Sequence, residues 1–230
     1  MTTIEINLEA VRARMAAACR AAGRDVHQVT LLAVSKTFGP EAVEQAWTAG
    51  QTAFGENYIQ EAVQKITQLR HLPLQWHCIG PIQSNKTRLV AEHFDWVHTV
   101  DRLKVAQRLS EQRPPGLAPL QVCIQVNVDG GPTKSGVLPQ EALALAQQVA
   151  ALPGLRLRGV MSIPEPAPDF VAACAVFARV RAVFDALNAE GLALDTVSMG
   201  MSADMEAAIQ AGSTMVRVGS AIFGGRPKPA

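Results

Sequence analysis

Apolar and polar positions along the chain follow two alternating rhythms. From Leu8 to about Ala22, the apolar residues Leu8, Val11, Met15, Ala18 and Cys19 recur at helical spacing, which predicts a helix ahead of everything else. Short β-rich runs then alternate with longer helical ones. "VTLLAVSK" precedes "PEAVEQAWTAG", "TAFGEN" precedes "YIQEAVQKITQL", "LQWHCIG" precedes "SNKTRLVAEHF", and "DWVHTV" precedes "DRLKVAQRLSEQ". In the second half "LQVCIQVNV" precedes "LPQEALALAQQVAAL", "LRLRGVMSI" precedes "PDFVAACAVFARVRAVFDALNAEG", and "LDTVSMG" precedes "SADMEAAIQAG". "TMVRVGSAIFGG" adds a last strand and helical turn. About eight strand and helix units in 230 residues is the count and size of an α/β (β/α)₈ TIM barrel. The expectation is therefore a single barrel domain over residues 1–230 with an extra N-terminal helix. An open doubly wound sheet shares the alternation. It is disfavoured because no G-x-G-x-x-G fingerprint follows the first strand and no shift in composition divides the chain. "RPPGLAP", at 113–119, reads as a loop before the fifth strand.

Composition narrows the partner. Hydrophobic residues make up 48% of the chain, ample for a large core. The net charge is +1 and Lys and Arg are scattered singly, which excludes the basic stripe that nucleic acid or an acidic membrane requires. A small molecule is the expected ligand. The four cysteines lie far apart with no CxxC pair or Cys/His cluster at metal-ligand spacing, and read as reduced, mostly buried thiols with no metal. The first residues lack the basic start of a signal peptide, and no apolar run is long enough to span a bilayer, so the expected location is the cytoplasm.

In a TIM barrel, reactive side chains collect where strands end and βα loops begin. Those positions here are Lys36, the segment Glu56-Asn57-Tyr58, "IGPIQSNK" at 79–86, Asn127, "MSIP" at 161–164, "SMGMS" at 198–202 and "RVGS" at 217–220. A lysine at a low-dielectric strand end loses hydration, which lowers its pKa and frees the amine to attack an aldehyde. Position alone fits equally well a Lys36 whose stem lies on the barrel rim with its ammonium in water. The last two junctions tip the balance. Ser202 stands where an N-cap would stand, ahead of Asp204 and Glu206, and Gly219 and Ser220 lie between a strand and a short helical turn. Two neighbouring helix starts can aim N–H donors at one phosphate, and the loops after strands seven and eight are the usual barrel phosphate site. Each residue alone also reads as a plain cap or turn. Arg217, inside "MVRVG", points to the same side of its strand as Gly219 and needs an acceptor, either a core carboxylate or a ligand. Together these residues outline a pocket for pyridoxal 5′-phosphate, with the aldehyde on Lys36, the phosphate at 198–202 and 219–220, and Arg217 at the pyridine nitrogen.

The blocks "AVSKT", "FGENYIQE", "WHCIGPIQSNK", "KSG" at 134–136 and "SMGMSADMEAAIQAGSTMVRVGSAIFG" resemble, in order and spacing over nearly the whole chain, the pyridoxal-phosphate homeostasis proteins, the YggS/PROSC family. The resemblance implies a fold-type III barrel related to that of alanine racemase, with the cofactor bound covalently by Lys36 as a Schiff base. It implies further cofactor contacts from Asn57, Ser198, Met199, Ser202, Arg217, Gly219 and Ser220, with Tyr58 and Lys134 as accessory residues. It also implies buffering and delivery of the cofactor, through transient contact with pyridoxal-phosphate-dependent apo-enzymes, rather than turnover. Many bacterial members carry a second lysine where this chain has Phe38, and most have a bulky apolar residue at Cys78.

Two enzymatic readings stand beside the carrier. An amino-acid racemase of the alanine-racemase barrel type would need a second base besides the lysine, usually a tyrosine from another domain across a dimer. This chain has one tyrosine, Tyr58. Arginine at the pyridine nitrogen would keep the ring unprotonated and a weak electron sink. A lysine-dependent aldolase on a phosphate-binding barrel would need no cofactor at all. The expectation is a monomeric carrier without a catalytic residue.

Overall fold

In the computed structural model, which describes residues 2–131 and 134–225, eight parallel strands pair in chain order and the last returns to the first. They are β1 Thr30–Val34, β2 Ala53–Glu56, β3 Gln75–Cys78, β4 Trp96–Val100, β5 Leu120–Gln125, β6 Leu155–Met161, β7 Thr196–Ser198 and β8 Met215–Val218. The helices are α1 Thr3–Ala21, α2 Pro40–Thr48, α3 Ile59–Gln68, α4 Thr87–His93, α5 Leu103–Gln112, α6 Ala142–Ala150, α7 Phe170–Ala189, α8 Met205–Gln210 and α9 Ser220–Phe223. The molecule is a TIM barrel with one helix added in front.

Strands such as β2, β4, β7 and β8 are buried throughout, because one face meets the barrel interior and the other the helices. Alternate residues divide accordingly. Leu31 and Ala33 of β1, or Val216 and Val218 of β8, join the main core beneath the helices. Leu32, Val34 and Met215 form a separate inner cluster, and Trp96, Cys123 and Met161 another. The inward side also carries a polar set, His77, His98, Ser198 and Arg217, all fully buried or nearly so. The closing seam pairs Leu32 with Arg217 and Ala33 with Val218, setting the end of β8 beside the strand that leads into Lys36.

α1 buries Leu8, Val11, Met15, Ala18 and Cys19, the face expected from the spacing. It starts earlier than expected because Thr2 and Glu5 form a reciprocal capping box. α1 also fastens the two short helices at the end of the chain. Arg14 bonds the Ser202 carbonyl at 3.1 Å and pairs with Glu206, while Asn7 donates to the Ile222 carbonyl at 2.9 Å.

α8 corrects one expectation. Ser202 is not its cap; the helix begins three residues later with Asp204 in the cap position. The Asp204 carboxylate accepts from the Met201 amide at 2.6 Å, turning 201–204 into a tight loop before the helix can start.

Candidate functional site

At the carboxyl ends of the strands, a cavity of about 420 Å³ opens between the loops after β1, β2, β7 and β8. Its wall includes Lys36, Asn57, Ser202, Arg217, Gly219 and Ser220, six residues that the sequence nominates, together with Thr37, Phe38, Ile163 and Met201. A larger groove of about 540 Å³ between α6 and α7, lined largely by apolar residues such as Leu143, Val183 and Leu187, includes none of the residues that the sequence nominates.

Lys36 sits in a turn closed by the Phe38 amide donating to the Ser35 carbonyl at 3.1 Å. Thr37 takes a positive φ of 69°, a conformation that favours glycine or asparagine. Phe38 packs on Phe223 of α9 with ring centroids 5.2 Å apart, joining the loop after β1 to the loop after β8.

The opposite side offers backbone donors. Among the described residues, the amides of Ser202, Ala203, Ser220 and Ala221 make no hydrogen bond. α8 and α9 are short, so individual N–H groups rather than helix dipoles define this side. At Gly219 a Cβ would stand 3.2 Å from the Val34 carbonyl oxygen, so the closing seam leaves little room for a side chain. Asn57 belongs to the wall, and its buried Oδ1 has no hydrogen-bond partner, an opening for a polar substituent of a ligand. The loop carrying Asn57 is pressed against Gly80, where a Cβ would collide with the Asn57 carbonyl oxygen.

Arg217 closes the floor. It donates to Ser198 Oγ at 2.7 Å and to the Ser162 carbonyl at 3.0 Å. Among the described residues, no carboxylate pairs with it and its other N–H groups find no acceptor. Burial lowers its pKa to about 10, against a raising influence from Asp204, so it is a cation at neutral pH.

Behind Arg217 runs a chain of bonds whose protons can be assigned. Gln75 Oε1 is an acceptor, so His77 Nε2, 3.0 Å away, donates. His77 is held neutral, its pKa pushed down to about 3 by burial, so its Nδ1 accepts from His98 Nε2 at 2.9 Å. His98, far below its usual pKa through burial, then His77 and Arg217, accepts on Nδ1 from the Ser198 hydroxyl at 2.8 Å. Ser198 in turn accepts from Arg217. One polarity satisfies every member, which anchors the guanidinium in a single orientation.

Four nominated residues fall elsewhere. Ser198 is wholly buried in that chain and outside the cavity wall. Met199 lies in the main core, with its amide bonded to Met215 and its carbonyl to the Ser213 hydroxyl. Strand neighbours face opposite ways, so the two cannot both face the cavity. Tyr58 is half exposed and lines an adjoining cavity of about 520 Å³ with Gln83 and Lys86, sharing Asn57 with the first. Lys134 stands at the rim, paired with Glu165 at 2.9 Å and donating to the Ile163 carbonyl at 3.3 Å.

Sequence reasoning missed His77 and His98, and it named Ser162 only within the strand-end segment "MSIP", without a role. A hint existed for the histidines, which occupy inward-facing positions of "LQWHCIG" and "DWVHTV". Ser162 meets Arg217 through its backbone carbonyl, a role that no side-chain pattern signals. Glu56 was named as a strand-end residue, but its buried partner Lys65 was missed; the pair joins β2 to α3 behind the Lys36 turn.

Residues 6–227 match the alanine racemase N-terminal domain family. A Pseudomonas aeruginosa protein named "Pyridoxal phosphate homeostasis protein" is 59% identical over 226 residues, covering 98% of this chain and 97% of its own length. The Escherichia coli K12 protein of the same name is 52% identical over 229 residues, covering 98% of each. Among solved structures, PipY of Synechococcus elongatus with pyridoxal phosphate bound superposes with a TM-score of 0.83 at 35% identity, covering 96% of this chain and all of that one.

Proposed function

The chain belongs to the alanine racemase N-terminal domain family and, within it, to the pyridoxal phosphate homeostasis proteins, and from that premise we propose that it binds pyridoxal 5′-phosphate through a Schiff base on Lys36 and acts as a cytoplasmic carrier. It buffers the cofactor and delivers it to apo-enzymes in transient contacts, as a monomer whose residues 1–230 form one cofactor-binding domain. The observation that carries the reading is a single cavity that joins a strand-end lysine, a buried arginine without a carboxylate partner, and the free amides of two neighbouring βα junctions.

Each residue then has a task. Lys36 Nζ adds to the aldehyde carbon and, with loss of water, forms the C=N bond. The amides near Ser202 and Ser220 hold the phosphate, and Gly219 keeps their loop close to β1. Arg217 donates toward the ring nitrogen and, as a fixed cation, keeps that nitrogen unprotonated. Asn57 orients a ring substituent. Ser198 acts through Arg217, Met199 by packing beneath the loop, and Tyr58 and Lys134 at the margins of the mouth. Bound cofactor supplies an electrophilic carbon and a conjugated ring.

Support for carrying rather than turnover comes from the cavity wall. Apart from Lys36, its described residues offer no second base, and Tyr58 lies in the adjoining cavity. In the test, loaded protein is mixed with the apo-form of a pyridoxal-phosphate-dependent enzyme, and L-alanine is incubated separately with concentrated loaded protein. The expected result is recovery of the apo-enzyme's activity with no racemisation. Racemisation on the time scale of delivery would favour the racemase.

A further inference from the structure

The turn that carries Lys36 is a partition between two spaces. Thr37 and Phe38 line the cavity of about 420 Å³ on one side and a second one of about 250 Å³ on the other. Thr37 holds a positive φ of 69° between the two, and its buried hydroxyl has no partner there. The Thr37 side chain thus adds no hydrogen bond to the Phe38 amide bond and the Phe38–Phe223 contact that hold the turn from the front.

A further hold comes from behind. Lys65, on α3, is 6% exposed and passes its ammonium into the protein. There Nζ donates to the Ser35 carbonyl at 3.0 Å and to Glu56 Oε1 at 2.5 Å. The Ser35 hydroxyl donates to the same carboxylate oxygen at 2.6 Å. Ser35 immediately precedes Lys36, and Glu56 immediately precedes Asn57. One buried ion pair thus ties the last residue before the reactive amine to the last residue before the cavity amide. The Ser35 carbonyl that Lys65 holds also accepts from Phe38 to close the turn.

We propose that Lys65 and Glu56 are positioning residues for Lys36, clamping the turn at 35–38 so that its amine is presented to an aldehyde in the cavity. A charged pair this deep is no economical source of stability, since apolar side chains of similar volume usually serve as well. Its geometric reach is what apolar residues would lack. Glu56 Oε2 has no partner, and burial raises the carboxyl pKa, opposed first by the Lys65 ammonium and then by the Ser35 hydroxyl, so the two groups that tie Glu56 to the turn are also the ones that favour its charged form.

The inference rests on Lys36 being the covalent site, so wild-type protein is first loaded with pyridoxal 5′-phosphate, reduced with borohydride and mapped. An adduct absent from Lys36 would sink that premise and is distinguishable from failure of the clamp. Lys65→Met is then compared for total cofactor bound, for the fraction bound as the visible imine, and, in the cofactor-free protein, for hydrogen exchange of the Phe38 amide. Loss of a charge-assisted bond at the turn should lower the imine fraction about tenfold while total binding changes about threefold or less, with faster Phe38 exchange. The double variant Glu56→Gln/Lys65→Met removes both charges. It should recover much of the thermal stability without recovering the imine. An imine fraction in Lys65→Met equal to wild type, or one that returns with stability in the double variant, overturns the proposal.

Discussion

Ser198→Ala separates two roles for one residue. A serine that touched the cofactor would cost affinity and leave the empty protein intact. In the structure its hydroxyl is instead held between Arg217 and His98, 2.7 and 2.8 Å away and wholly buried. Removing it strands one guanidinium N–H and one imidazole lone pair together. Each buried group left unpaired costs about 1–3 kcal/mol, so the variant should lose about 3 kcal/mol before any cofactor is added. For a domain of this size that is a fall in Tm of about 6 to 12 °C. The released guanidinium should also orient less well, weakening cofactor binding by roughly tenfold, on the scale of one neutral hydrogen bond. The imine on Lys36 should still form at saturation, because Lys36 keeps its own turn. Thermal unfolding of the cofactor-free protein and a spectroscopic titration measure both effects. An unchanged Tm with a large loss of affinity would refute the buried chain of bonds and restore Ser198 to direct contact.

Further outcomes follow from neighbouring residues. His77 has a folded pKa of about 3 against an ordinary 6.5, so below that ordinary value the unfolded chain binds the proton first. Stability is therefore full above about pH 6.5 and declines as pH falls toward 3, by about 3 kcal/mol at pH 4 from this group alone. Denaturant unfolding of His77→Gln over that range should show a slope shallower by about 1.4 kcal/mol per pH unit, and parallel slopes would contradict the assignment. Gly80→Ala drives a methyl group into the Asn57 backbone, with Asn57 Cα 2.8 Å away; it should destabilise by about 1–3 kcal/mol and weaken cofactor binding, and a variant unchanged in Tm and titration would show that the two loops can part.

The barrel is legible in the sequence because its strands are buried on both faces and its helices on one, so the two periods stand apart. The buried face of α1 can be read residue by residue for the same reason. Lys36 and Arg217 are found by position, one at a strand end and the other by its parity with Gly219. The same parity rule tells against Met199 as a side-chain contact, since it adjoins the inward-facing Ser198 and packs outward. Ser202 misleads because a serine before a helical pattern is a common cap, whereas here a carboxylate two residues on closes a turn first. His98 depends on which strand lies beside which and at what register, such as His77 opposite Trp96, whereas the Glu56–Lys65 pair depends on how α3 folds back on the strand before it, and no periodic pattern carries either. Phe38 packs on Phe223 at the far end of the chain, a contact that its local sequence does not signal.

The claim at the centre is that Lys36, rather than another amine on this surface, forms the covalent bond. Protein loaded with pyridoxal 5′-phosphate is reduced with borohydride, digested and mapped by mass spectrometry, beside Lys36→Ala treated identically. The account predicts one dominant pyridoxyl adduct on the Lys36 peptide, and in the variant no visible imine band although phosphate-dependent binding persists. Equal adduct on Lys134 or Lys86, or a variant whose visible band matches wild type, would contradict it.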